Sequence, residues 1–329
     1  MIFIGSINSE KIGGEVLKNQ ILLNFLQKKY QNLIIIDIEK YKNRKLLLLI
    51  LLSYYYFFVN DDIILSKADH GAYNILRLFY FFNKFKKKKI YYFVIGGLLN
   101  TRLKNNYFEI KYYKNLFKIY VELNSMKKDL EKLNMKNVEW IPNFKKFEIK
   151  YRKKEVENVL KAVFFSRITE EKGTEIIFQM LQQINKEKIK IEVDFYGSIA
   201  EEYKQRFENN LSLIPSAKYK GILSQEEKTY DLLSKYDFML FPTFWKGEGF
   251  PGSLIDAFIS SLPVVASDWN YNKEIINEKV GYLFENKNQK QFEKIIFDLI
   301  NDPKQLLEKR KNCFEEAKKY HIDNVLRIF

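Results

Sequence analysis

Short apolar runs separated by helix-length stretches recur down this chain, and that rhythm narrows its fold more than any single residue does. MIFIGS at 1–6 is followed by similar runs at 32–38, 62–66, 90–97, 119–123 and 138–142. A second series takes up at 161–166 and continues through 190–197, 217–224, 236–242 and 263–267. Strands that are apolar along their whole length are buried on both faces, which calls for a parallel sheet with helices above and below. The chain therefore reads as α/β, with doubly wound parallel sheets. Its 329 residues suffice for two cores of ordinary size. Apolar periodicity stops across FKKFEIKYRKKEVE, 144–157, which sets the boundary between a first domain at 1–150 and a second at 151–310.

Charge separates the two halves. Of a net +14, all lies in the first: residues 1–150 hold 27 Lys and Arg against 13 Asp and Glu, and the remainder 28 against 28. A basic domain beside a neutral one implies two partners, the first a polyanion or an anionic membrane face. The run NKFKKKKIYY reads either as a solvated helix end or as a contact for anionic lipid, with its Phe and Tyr at head-group level. A nucleic-acid patch fits the charge alone, but no nucleic-acid motif accompanies it and no such partner is expected. The fourteen apolar residues of 46–59, preceded by YKNRK, are too few to span a bilayer and predict a buried or interfacial helix. The single cysteine, Cys313, excludes an internal disulfide and fits a reducing compartment. MIFIGSINSEK lacks the basic start and apolar middle of a signal peptide, so a cytoplasmic location is expected.

The most informative stretch is 236–268, YDFMLFPTFWKGEGFPGSLIDAFISSLPVVASD. Two buried-strand runs bracket a loop holding Gly247, Glu248 and Gly249, and a helix predicted to start after Pro251, at Gly252 or Ser253. Amides at such a helix start point out of the sheet's carboxyl edge, where a diphosphate can be held. Glu248 precedes the helix and Asp256 lies one turn inside it. Carboxylates suit hydroxyl groups, which donate hydrogen bonds to them, and not phosphate; a sugar nucleotide has both kinds of group. Acidic residues near a helix start are also favoured by its dipole in any protein.

Upstream, SRITEEKG puts Arg167 and Lys172 in the loop after the 161–166 run, at the same kind of edge. Arg can bind two phosphate oxygens and Lys supplies a compact charge; otherwise both are merely solvated. Ile176, Ile177, Met180, Leu181 and Ile184 mark one face of the helix that follows. Gly13 and Gly14 sit at a helix entry, where missing side chains let a ligand approach the backbone or simply allow a turn. His70 follows the third strand, either as a site residue or as an ordinary loop histidine. Ser224 and Glu227 predict a capping box.

The phrase P-T-x-x-x-x-E-G-F-P-x-x-L-I-D-A followed by L-P-V-V-A-S-D resembles the signature of the family 4 retaining glycosyltransferases, and S-R-I-T-E-E-K-G resembles their Arg followed five residues later by Lys-Gly. Three departures are visible: Thr243 for Ser, Leu262 after two serines where Gly is usual, and Asp256 for the second Glu. The resemblance implies the GT-B fold, two Rossmann-like domains facing across a cleft, with 311–329 crossing back to the first. It implies that Arg167 and Lys172 hold the donor diphosphate and that Glu248, acting with them in catalysis, positions the sugar hydroxyls. Asp256 would take the ribose, and Gly249, Phe250, Pro251, Gly252 and Ser253 would lie at the phosphate. Gly197, Gly221, Ile222 and Leu223 would border the base, Glu274 the donor loop, and Gly13 and Gly14 the cleft. Gly96 and Gly97 stand where many relatives carry a His that contacts the sugar, and neither His70 nor His321 falls there.

The activity so implied moves a sugar from a nucleotide-diphosphate donor, taken as a UDP-sugar, with retention and without metal or other cofactor. The acceptor would be a glycan or a polyprenyl-diphosphate-linked one at the cytoplasmic membrane face, as in bacterial capsule, O-antigen or exopolysaccharide synthesis. Two alternatives stay open: a sugar-nucleotide epimerase, which would turn over donor alone, and a basic membrane or nucleic-acid binding protein with a degenerate cleft.

Overall fold

The computed structural model describes residues 1–8, 13–155, 157–223 and 226–328. They form two compact units, Met1–Lys145 and Lys146–Phe329. In the first, strands β1 (Ile2–Gly5), β2 (Ile34–Asp37), β3 (Ile63–Ala68), β4 (Ile90–Ile95), β5 (Lys118–Val121) and β6 (Val138–Trp140) make one parallel sheet in the order 2-1-3-4-5-6. Ile2 stands opposite both Ile34 and Ile63, and all of β1 is buried, as its unbroken apolar run requires. This order reverses direction between β1 and β3, where an open α/β sheet places ligands outside the strands' carboxyl ends.

Two expectations resolve here in unexpected ways. The 46–59 run forms the helix Lys45–Phe58, of which only Leu52 and Tyr56 are buried. The lysine run splits by alternate residues: Lys86 donates to the Phe57 carbonyl at 2.7 Å and Lys88 to the carbonyls of Val59 at 2.5 Å and Asp61 at 2.9 Å, while Lys84, Lys87 and Lys89 face solvent. Cations at a helix C-terminus neutralise its negative dipole end. Burial in that position, with Lys86 beside it, pushes the Lys88 ammonium below the usual lysine range.

The second unit repeats the design with β7 (Leu160–Phe165), β8 (Ile191–Tyr196), β9 (Ala217–Tyr219), β10 (Phe238–Phe241), β11 (Val264–Asp268) and β12 (Gly281–Glu285), parallel throughout in the order 12-11-10-7-8-9. Counted within the unit this is the 3-2-1-4-5-6 order of dinucleotide-binding sheets, and its switch point lies between β7 and β10. Phe164, Phe178, Phe195 and Phe207 stack beneath it, with Phe178 and Phe195 centroids 5.2 Å apart. Ile177, Met180 and Leu181 of the helix Thr174–Ile184 are buried as its periodicity predicts.

Arg152, within the stretch where periodicity stops, is buried and tied to this unit: its Nε meets Asp231 at 2.7 Å and its amide donates to Ser261 at 3.2 Å. The helix Gln305–Lys318 packs on the helix Gly252–Ile259, and its buried Arg310 donates to the Tyr236 and Ser234 carbonyls, both at 2.8 Å. The capping box expected at Ser224 lies outside the described residues.

Candidate functional site

The switch point of the second sheet gathers two loops. One leaves β7 at Ser166 and runs through Arg167 and the short 3-10 turn Glu170–Lys172 into the helix Thr174–Ile184. The other leaves β10 at Pro242 and runs through Thr243 to Pro251 before the helix Gly252–Ile259. Phe244 donates its amide to the Glu171 carbonyl at 2.8 Å, which binds one loop to the other. Gly173 is required between them: its φ is 77°, and a Cβ there would lie 2.1 Å from the Pro242 carbonyl oxygen.

The two loops meet in an ion pair. Lys172 Nζ is 2.5 Å from Glu248 Oε2, and the Thr243 hydroxyl donates to the same oxygen at 2.9 Å. Both groups are largely shielded from water, with side-chain exposures of 12% and 7%. Because both bonds fall on Oε2, Oε1 is left without a hydrogen-bond partner among the described residues and is able to accept one from a ligand. The Lys172 ammonium also lies 4.8 Å from the Trp245 ring centroid. The loop is held from the end of β11 and the turn after it: Trp269 Nε1 donates to the Trp245 carbonyl at 2.8 Å, Asn270 Nδ2 to that of Lys246 at 3.1 Å, and Ser267 to that of Thr243 at 2.5 Å.

At Pro251 the helix Gly252–Ile259 has no side-chain cap, so its first amides are left to solvent or a ligand. Asp256 is buried one turn in. Arg167 is exposed and forms no ion pair among the described residues. Next to it, Gly197 at φ 143° brings β8 against β7 so closely that a Cβ would lie 1.9 Å from the Ser166 carbonyl oxygen. The Gly197 amide donates to the Gly221 carbonyl at 2.9 Å, and the adjoining Ile222 is exposed. Lys172, Glu248, the Gly249–Ser253 stretch and the Arg167 loop are thus joined directly, with Gly197 and Gly221 on their flank. Glu274 lies exposed on the short helix Asn272–Ile275, just after the Trp269 and Asn270 that clamp the loop.

In the first unit Gly13 caps and Gly14 opens the helix Gly14–Lys29 with nothing within 4 Å of either added Cβ, so protein packing does not demand glycine there. His70 is exposed in the first turn of the helix Asp69–Phe82, and Gly96, at φ 89°, and Gly97 follow β4. Sequence reasoning passed over Trp245, Ser267, Trp269 and Asn270, which hold the Glu248 loop. Of these Ser267 is a specified position of the quoted motif and Trp245 falls at one of its open positions, while Trp269 and Asn270 lie beyond it.

Comparison with known proteins agrees with this architecture. The family described as glycosyl transferases group 1 matches residues 144–320. No curated protein matches the sequence. Among solved structures, Anabaena HepE in complex with UDP-glucose is similar at a TM-score of 0.75 and 14% identity, covering 99% of this chain and 97% of that one. The lipopolysaccharide outer core galactosyltransferase WaaB in its apo form gives 0.68 and 13%, over 99% and 96%. The sucrose-phosphate synthase of Thermosynechococcus elongatus gives 0.69 and 14%, over 90% and 79%.

Proposed function

We propose, from the premise that the chain belongs to the group 1 glycosyl transferases, that it is a retaining, metal-independent enzyme of the family 4 type. It moves a sugar from a UDP-sugar to a glycan or polyprenyl-diphosphate-linked acceptor in cell-surface polysaccharide synthesis. The observation that carries this reading is the shielded Lys172–Glu248–Thr243 constellation at the switch point, with Glu248 Oε1 unengaged beside an uncapped helix start.

On this reading a bound donor lays its diphosphate against the amides of Gly252 and Ser253, and Lys172 shares its protons between Glu248 and a phosphate oxygen. Exposed Arg167 swings onto the same group, so that charge building on the departing diphosphate meets two cations already in place. Glu248 accepts from a sugar hydroxyl through Oε1, and Asp256 accepts from the ribose. The backbone around Gly197 and Gly221–Leu223 flanks the base. No residue is asked to form a covalent intermediate, and the acceptor oxygen attacks on the face the diphosphate leaves. Anabaena HepE, of the same fold, was solved with UDP-glucose, which makes uridine the first base to try.

A thermal-shift screen of UDP, GDP and ADP and their sugars tests the reading. A donor at a hundredfold its Kd stabilises the fold by about 2.7 kcal/mol, and transfer to acceptor then follows from the same donor. A flat response to every nucleotide would overturn the proposal.

A further inference from the structure

The helix Lys45–Phe58 has the wrong outer face for a water-exposed helix. Its inner side is conventional: Leu52 and Tyr56 are buried, Tyr56 with ring centroids 5.3 Å from Phe79 and 5.1 Å from Phe82. On the opposite side Leu46, Ile50, Tyr54 and Phe58, spaced four residues apart along one stripe, are 70%, 57%, 54% and 77% exposed. Leu47 and Leu49 widen the stripe. A helix at a water boundary carries charge on that side, yet no charged residue occurs between Lys45 and Asp61.

An apolar face of this extent is one that something covers, and its borders say what. Lys40, Lys42 and Arg44 before the helix and Lys45 at its first position are all exposed, with no acid among them. At its far end Phe57 packs on Phe82 at 4.9 Å, and the next residue but one in that aromatic chain, Phe81, meets Phe85 at 5.3 Å. Phe81 and Phe85 are exposed, as are Lys84 and Lys87 beside them. Cations at both ends, aromatic rings near one and aliphatic side chains between match the interface of an anionic bilayer. A second copy of the chain fits worse: with both ends basic, either orientation of the two helices sets like charges together. Fourteen residues of helix extend roughly 21 Å against a hydrocarbon thickness of roughly 30 Å. No described helix is long and apolar enough to cross a membrane.

We infer that the helix Lys45–Phe58, together with Phe81 and Phe85, is the surface by which the first unit docks on an anionic lipid bilayer. The helix lies in the interfacial plane, its outward stripe below the head groups, with Arg44, Lys45, Lys84 and Lys87 among them. Lys86 and Lys88, turned onto the helix carbonyls, hold the anchor to the domain and do not touch lipid. The inference rests on the proposed function for its purpose, delivery of the site to a lipid-linked acceptor, and on the helix for its substance.

Sedimentation of the full chain with vesicles tests it, phosphatidylcholine alone against phosphatidylcholine with phosphatidylglycerol. The protein is expected to pellet with the anionic vesicles, and high salt should weaken that binding. The double change Ile50→Glu and Tyr54→Glu, at two outward positions, should weaken binding by at least about tenfold and leave the melting shift induced by UDP-glucose at its wild-type size. Wild-type protein that stays in solution with anionic vesicles at low salt overturns the inference, as does binding that survives the double change. So does a dimer, seen by light scattering, that the double change converts to monomer. Vesicle binding without any nucleotide-induced shift would sink the proposed function and leave the docking surface standing; the reverse pattern would sink the docking surface alone.

Discussion

The two sheets carry similar charge at their carboxyl edges and spend it differently. In the first unit three cations of the described residues near the switch point are matched from within. Lys67 reaches the Ser6 hydroxyl at 2.7 Å and Glu15 at 3.1 Å, Lys18 meets Glu122 at 2.5 Å in a fully buried pair, and Arg102 bridges Asp69 at 3.0 Å and Glu109 at 2.9 Å. Asp37 likewise accepts the amides of Ile7 at 3.1 Å and Asn8 at 3.2 Å. In the second unit Arg167 has no ion pair among the described residues and one carboxylate oxygen of Glu248 is unengaged, while helix starts without a side-chain cap occur on both sides, at Gly14 and Asp69 as at Gly252. The described side chains of the first edge satisfy one another, and the second edge leaves groups able to take a ligand.

This contrast breaks down if glycines and ion pairs behave alike on the two sides. Gly197→Val should unfold or badly destabilise the protein, by about 3 kcal/mol or more, because the side chain would displace the end of β7. Gly14→Ala, with open space around it, should change stability by no more than about 0.5 kcal/mol. Chemical denaturation of both variants checks this, and equal losses would refute it. Lys18→Ala leaves Glu122 buried and unpaired and should cost about 3 kcal/mol of stability, with the nucleotide-induced melting shift retained in the folded protein. Arg167→Ala should do the reverse: an unchanged melting temperature without ligand, and a loss of about tenfold to a hundredfold in kcat/KM. Smallest of all, Cys313 should resist iodoacetamide until denaturant is added, since burial pushes its thiol well above the ordinary range; mass spectrometry of the native and unfolded chain reads it out.

Much of this was legible in the sequence, and the failures share a cause. Every fully buried strand announced itself as an apolar run, and the start of the helix after Pro251 was set by proline and glycine. β12, Gly281–Glu285, escaped notice although VGYLF at 280–284 is a short apolar run; as an edge strand it buries only Gly281 and Phe284. Side-chain direction was the harder matter. Nothing in NKFKKKKIYY says that Lys86 and Lys88 turn inward while Lys84 and Lys87 do not, because the partners are carbonyls brought there by another helix. The same blindness applied to the 46–59 run, whose apolar residues look alike in sequence although half face outward. At the candidate site the motif supplied Lys172 and Glu248 as separate residues. That they pair, and that Thr243 joins them on one oxygen, depends on the close approach of two loops 76 positions apart in the chain.

The measurement that bears most directly on the account is calorimetric titration of UDP into the full chain and into two variants, Lys172→Ala and Lys67→Ala. If the second unit's switch point holds the diphosphate, Lys172→Ala should weaken UDP binding by about tenfold or more and Lys67→Ala should leave it unchanged. Undiminished affinity in Lys172→Ala, or a loss confined to Lys67→Ala, would contradict it.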